Sequence, residues 1–321
     1  MRIQGWGLVL MACAVSMHAQ AASENMTAAQ VRAAASKSAF VGNTGCQSCH
    51  KHDAIWNSFA QNPHSRTGAG KTEVNCESCH GPGQAHVEAR GDIDTVVRPF
   101  SVMKPQEVVA ACLQCHGNDF KRANIRRSEH TQHDVACTSC HSIHNSKTQR
   151  NLLIKPEREL CYECHGDVRA QFDLPSKHRV NEGLMSCSDC HNAHGGGTAV
   201  AGMGQSSKML NRSHTNEQPC MKCHVDKRGP FVFSHQAGEV DGCTSCHKPH
   251  GSTTAKLITR PTVTMLCQEC HTGSGPFGAR NNRGITTPDH ATHSMVDPRY
   301  QRCTGCHVAI HGSNVHYRFL R

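Results

Sequence analysis

Ten copies of Cys-x-x-Cys-His run through this chain of 321 residues and use twenty of its 21 cysteines. In a helical turn, residues i, i+3 and i+4 share a face, so two thiols and an imidazole project together. This is the attachment signature of c-type haem: the thiols bond the two vinyl groups and the histidine reaches the iron. The cysteine pairs are Cys46 and Cys49, Cys76 and Cys79, Cys112 and Cys115, Cys137 and Cys140, Cys161 and Cys164, Cys187 and Cys190, Cys220 and Cys223, Cys243 and Cys246, Cys267 and Cys270, and Cys303 and Cys306. Their histidines are His50, His80, His116, His141, His165, His191, His224, His247, His271 and His307. Disulfide scaffolds and structural zinc sites also concentrate cysteine, but neither requires a histidine directly after every second cysteine. The remaining cysteine, Cys13, stands apart near the N-terminus.

Such a chain is poorly equipped to build an ordinary core. Hydrophobic residues make up 37% and aromatics 4%, too little apolar surface to offset the chain entropy easily. From residue 22 onward there are 300 residues for ten motifs, so haem must serve as the core and folding is expected to be coupled to its attachment. The formal charge of +9 does not imply a nucleic-acid partner. Ten oxidised haems with two propionates each would contribute roughly −10 once the cofactor's own charge is counted, and no dense basic run is present.

Residues 1–21 read as a secretory signal peptide. Arg2 is a minimal basic region, Gly5 to Met17 is apolar, and Ala19-Gln20-Ala21 is an A-x-A cleavage site, placing the mature start at Ala22. The apolar stretch is too short to span a bilayer. Residues 22–45 form a lead-in, where Thr27 to Gln30 is a capping box opening an Ala-rich helix. Residues 46–321 form the haem-binding domain.

The ten motifs group into five tandem pairs, each with a first motif A and a second motif B. The repeats start near residues 46, 112, 161, 220 and 267, and a period of about fifty to sixty residues marks a repeat array. Three A motifs follow a basic residue and proline, Lys104-Pro105, Lys155-Pro156 and Arg260-Pro261. Proline favours the first helical position, so a short helix is expected to begin at each. B motifs share a histidine exit followed in three cases by Gly195, Gly251 or Gly312, which permit a tight turn. The expected fold is a multihaem cytochrome: mostly coil with short α-helices, an elongated tandem repeat of five two-haem modules, and little or no β structure.

Haem iron takes a fifth ligand and can take a sixth. Fifteen histidines beyond the leader lie outside the motifs. One set falls between A and B: His64, His130, His178, His235, and either His290 or His293. Another follows B: His86, His144, His194, His250 and His311. Together they offer one distal candidate per motif, with His293 placed in the set for the last repeat. His52, His133, His214, His316 and the unused member of the His290/His293 pair remain over. The short Cys-His-x-x-His spacing suggests that the exit histidine points away from its own haem towards a neighbour's. Ten bis-His haems leave no open iron position. A catalytic centre needs one, as catalytic metal sites do, and no nucleophile–base set or phosphate-binding loop is apparent. No catalytic residues are therefore assigned, and electron transfer is the expected role; a multihaem reductase is the weaker alternative.

The segments Cys220 to Pro230 (CMKCHVDKRGP), Ser234-His235, Cys243 to Ser252 (CTSCHKPHGS), Cys187 to Gly195 (CSDCHNAHG) and His311 to Asn314 (HGSN) carry a resemblance. The chain resembles the porin-associated decahaem c-type cytochromes of the MtrA/MtoA kind, with DmsE-type relatives, over nearly its whole mature length. The resemblance implies ten covalently bound haem c groups in a near-linear, bis-His array. It also implies residence in the periplasm and insertion through an outer-membrane β-barrel porin. There the chain would link periplasmic carriers, small or tetrahaem cytochromes, with extracellular iron or another metal, by Fe(II) oxidation or Fe(III) reduction. An extracellular multihaem cytochrome is a further partner some relatives use. The alternative is a free periplasmic electron shuttle serving a terminal reductase.

Overall fold

A computed structural model describes residues 39–66, 74–91, 100–147, 151–196, 209–211, 219–271 and 298–320. The leader, the helix expected after Thr27, and His214, His290 and His293 lie outside the described residues. The chain divides into two compact units, Met1–Lys104 and Pro105–Arg321. The division falls at the Lys104-Pro105 entry of the second repeat.

In the first unit, helix Gly42–His50 ends with the first motif and helix Cys76–His80 begins with the second. Between them lies helix Ala54–Ala60, capped by Asp53, whose Oδ1 accepts from the Trp56 amide (2.8 Å). Asn75 and Ser78 form a capping box on Cys76–His80, satisfying backbone donors that a five-residue helix would otherwise leave open. Glu77, inside that motif, is 4% exposed. Its carboxylate accepts from the amides of Gly83 (2.7 Å), Gly42 (2.8 Å) and Val41 (2.9 Å). A buried charge is tolerable when its lone pairs are filled in this way, and here it ties the start of one motif helix to the exit of the other.

The second unit repeats that grammar. Three A motifs lie at the ends of helices: Pro105–His116 contains Cys112 to His116, while Glu157–Tyr162 and Val263–Gln268 carry Cys161 and Cys267; the fourth, Cys220, lies in the 3-10 turn Pro219–Lys222. B motifs open a helical turn at their first cysteine: Cys137–Ser139, Cys187–Cys190, Cys243–Ser245 and Cys303–Cys306. Proline starts the helix as expected at Pro105, and Pro156 is the N-cap of its helix. At Pro261 the expectation is corrected: Thr262 is the N-cap, its hydroxyl accepting from the Met265 amide, and the helix starts at Val263. A hydroxyl acceptor outcompetes proline because it satisfies an amide that proline cannot. The basic residue of that entry has its own role. Lys155 pairs with Glu163 and Arg260 with Glu269, each inside the following motif.

At three B motifs a later residue bridges the motif histidine: His141 with Leu153, His191 with Leu210, His247 with Ile258. Regular sheet among the described residues is limited to Phe233–Ser234 paired antiparallel with Gly312–Ser313. The buried apolar side chains described are few, among them Phe59, Val108, Val109, Phe172, Val180 and Ile258. The polypeptide is a wrapping of short elements, in keeping with its composition.

Candidate haem-binding sites

Each motif is locally prepared for attachment. The His165 amide donates to the Cys161 carbonyl (2.9 Å), and the same bond closes the motifs ending at His141, His191, His224, His247, His271 and His307 at 2.9–3.0 Å. That i, i+4 bond holds both cysteines and the histidine on one face.

The structure then brings motif histidines against specific distal candidates. Ring centres are 6.2 Å apart for His165 and His130, 6.0 Å for His141 and His194, and 6.2 Å for His224 and His178. They are 6.0 Å apart for His191 and His250, 6.2 Å for His271 and His235, and 6.1 Å for His247 and His311. Two opposed imidazoles bonded to one metal ion at about 2 Å each would have ring centres about 6 Å apart. The residues present therefore fit iron held between two histidines at six motifs.

The pairing follows one register. An A histidine faces the inter-motif histidine of the preceding repeat: His165 with His130, His224 with His178, His271 with His235. A B histidine faces the exit histidine of the following repeat: His141 with His194, His191 with His250, His247 with His311. The exit histidine thus points away from its own motif, as its short spacing suggests.

Recurring joints explain this register. The inter-motif segment of one repeat lies on the exit loop of the next, so each joint presents two distal histidines at once. His130 Nδ1 donates to the Ala193 carbonyl (3.0 Å), beside His194. His178 Nδ1 donates to the Pro249 carbonyl (2.6 Å), beside His250, and Ser176 pairs with Ser252. The Phe233–Ser234 and Gly312–Ser313 strands bring His235 beside His311. The exit glycines permit the approach. A Cβ on Gly251 would lie 1.9 Å from the Gln171 carbonyl oxygen, on Gly312 2.1 Å from the Phe231 ring, and on Gly195 2.9 Å from the Asn124 carbonyl oxygen. Gly195 and Gly312 also turn the chain with φ of +97° and +148°, but Gly251 is required for close approach alone.

Outer contacts select the ligating nitrogen. A carbonyl can only accept, so Nδ1 carries the proton in His130, His178, and also His141 (to Asn151, 2.6 Å), His247 (to Lys256, 2.9 Å) and His307 (to Arg318, 2.6 Å). Nε2 is then left with its lone pair for a metal, the usual arrangement of a ligating histidine. Two motif histidines have charged partners instead. His50 Nδ1 meets Asp53 Oδ2 at 2.5 Å, and Arg122 Nη2 donates to His116 Nδ1 at 3.2 Å. The Trp56 amide, and then His50, hold the Asp53 carboxyl below its ordinary range. Burial, more than neighbouring histidines, lowers His194 to about 4, and burial likewise lowers His191, His235, His250, His271 and His311. Neutral imidazole is the form that binds iron.

The remaining candidates are placed individually. His64 Nδ1 contacts Asn62 Oδ1 (2.8 Å), His80 lies edge-on to Phe100 (5.5 Å), His86 sits in helix Gln84–Glu88, and His144 follows the fourth motif. Asp53, Glu77 and Arg122 escaped sequence reasoning.

Neighbouring motifs also bring their sulfurs, which in the loaded protein are thioethers, near one another. The first cysteines of A and B lie close enough to perturb one another in every pair: Cys46 with Cys76, Cys112 with Cys137, Cys161 with Cys187, Cys220 with Cys243, and Cys267 with Cys303. Between repeats the second cysteine of B interacts with the next A motif: Cys140 with Cys164, Cys190 with Cys220 and Cys223, Cys246 with Cys267 and Cys270. In the second unit the motifs therefore follow one another in space in sequence order, from Cys112 to Cys303.

Short helices, little sheet, repeated haem-attachment motifs and histidines opposed across them define a multihaem c-type cytochrome. Family models agree: a doubled CXXCH motif matches residues 130–170 and 235–275, and cytochrome c554 and c-prime matches residues 85–142. The chain is 32% identical over 302 residues to multiheme cytochrome MtrA of Shewanella baltica, covering 90% of this chain and 85% of that protein. It is also 31% identical over 134 residues to cytochrome c-type protein NrfB of Escherichia coli, 40% of this chain and 67% of NrfB. With polyheme cytochrome OmcB of Geobacter sulfurreducens it shares 26% identity over 249 residues, 69% of this chain and 27% of OmcB. The chain belongs to the MtrA family of multihaem cytochromes. It carries covalently bound haem c and transfers electrons; it is not a classical enzyme.

Proposed function

We propose that this protein carries ten bis-His haems and conducts electrons across the outer membrane inside a β-barrel porin, exchanging them with extracellular iron. The closeness of successive motif sulfurs within the second unit, in sequence order, is the observation that carries the conducting role. Closely spaced redox centres exchange electrons by tunnelling, without large protein motion. Distal histidines opposed to motif histidines support closed irons, which store and pass electrons but bind no substrate. At the array's two ends the register runs out. His50 and His307 belong to the first and last repeats of this sequence, and His86 and His290 or His293 are the candidates left for them.

The porin setting rests on the family resemblance and on surface character. Among the described residues no helix is long and apolar enough to cross a membrane. A polar exterior suits the polar lumen of a large barrel. In this reading the leader exports the chain, and periplasmic cytochromes meet one end of the array.

The test uses liposomes holding a trapped reduced viologen, with Fe(III) citrate outside. Rapid viologen oxidation is expected only when porin and cytochrome are both present. Equal rates with either component alone would overturn the porin reading and favour a free periplasmic shuttle.

A further inference from the structure

We infer that Asp53 is a positioning residue for the haem attached at Cys46 and Cys49, holding the His50 proton and setting that haem's reduction potential low. The carboxylate has two oxygens with two tasks. Oδ1 caps helix Ala54–Ala60 through the Trp56 amide (2.8 Å), while Oδ2 takes Nδ1 of His50 (2.5 Å). Capping uses only one oxygen and needs no charge, since asparagine and serine cap as well as aspartate. The charge is therefore available to the histidine.

A carboxylate on Nδ1 withdraws the ring proton more strongly than a carbonyl does and raises the basicity of the ligating nitrogen. A more basic ligand and a nearby negative charge both stabilise Fe(III) over Fe(II), and hydrogen bonding around the ligand is a recognised control on haem potential. His141, His247 and His307 give their Nδ1 protons to neutral backbone carbonyls. His50 thus differs from these motif histidines in the property that sets ligand strength. Asp53 is about one-third exposed, so solvent screens part of its charge but leaves the hydrogen bond. The electron on this haem is shed readily into the rest of the array, and the haem accepts one readily only from a strong reductant.

The experiment is a potentiometric titration of the fully haem-loaded protein, followed by the low-spin ferric signals in electron paramagnetic resonance, with Asp53→Asn beside the native chain. Asparagine keeps the shape and the cap and removes the charge. One haem is expected to titrate at a higher potential, its Fe(III)/Fe(II) ratio changing at least tenfold, equivalent to about 59 mV for one electron. Asp53→Ser, which retains a cap but withdraws the carboxylate, should move the same haem in the same direction. Glu88→Gln, which removes a charge in the same unit without touching His50, should leave that haem where it was. Superimposable titrations for both Asp53 variants, or an equal shift on Glu88→Gln, would overturn the assignment while leaving the conducting role intact.

Discussion

His194 shows how much rests on single side chains. It belongs by sequence to the exit of the third repeat, yet its ring lies 6.0 Å from His141 of the second, nearly parallel at 17°. Half-buried and neutral, it is suited to one metal bond. His194→Ala is expected to open the iron at the Cys137 motif. One haem's worth of high-spin ferric signal should appear and shift on adding cyanide, with the native chain silent. An unchanged low-spin spectrum would remove His194 from the ligand set. The recurrence of such histidines was legible in the sequence because it repeats at fixed places. Their partners were not, because each bond joins residues of different repeats. Asp53 was unreadable for a related reason: an aspartate three residues after a motif histidine looks like a helix cap, which it also is.

The short element is the unit that sets geometry here. Helices of five or six residues are marginal alone, so caps and cross-links hold them: Asn75 with Ser78, Glu77 with three amides, Thr262 with Met265. The joint between an inter-motif segment and the next exit loop matters most, because it aims two distal histidines at two different haems. Gly251→Ala would force a methyl into the Gln171 carbonyl. Overpacking of this kind costs about 1–3 kcal/mol. A lower thermal midpoint is expected, together with weakened low-spin signal at the haem facing His250. A native melting curve would mean that the joint tolerates separation. The motif turns were readable from spacing, and the helix entry from proline at Pro105. The role of Gly251 was not, because its φ is ordinary and the requirement comes from a segment eighty residues away in sequence.

At the scale of the molecule, the scarcity of buried apolar side chains among the described residues and the closeness of successive motifs within each unit describe one design. The haems supply the core, and the chain spaces them in order. Composition and the count of Cys-x-x-Cys-His copies already implied this, since 37% hydrophobic content leaves little else to pack. The spatial order of the motifs needed the structure, because spacing in sequence does not determine which sulfur meets which. A conducting array requires closed irons throughout. The measurement that tests it most directly is near-infrared magnetic circular dichroism of the fully oxidised protein, normalised to iron content. The expected result is a low-spin bis-histidine band with an intensity of ten haems per chain and no high-spin or histidine–methionine band. A band from an open or methionine-ligated haem, or an intensity short of the iron present, would contradict the closed, continuous array.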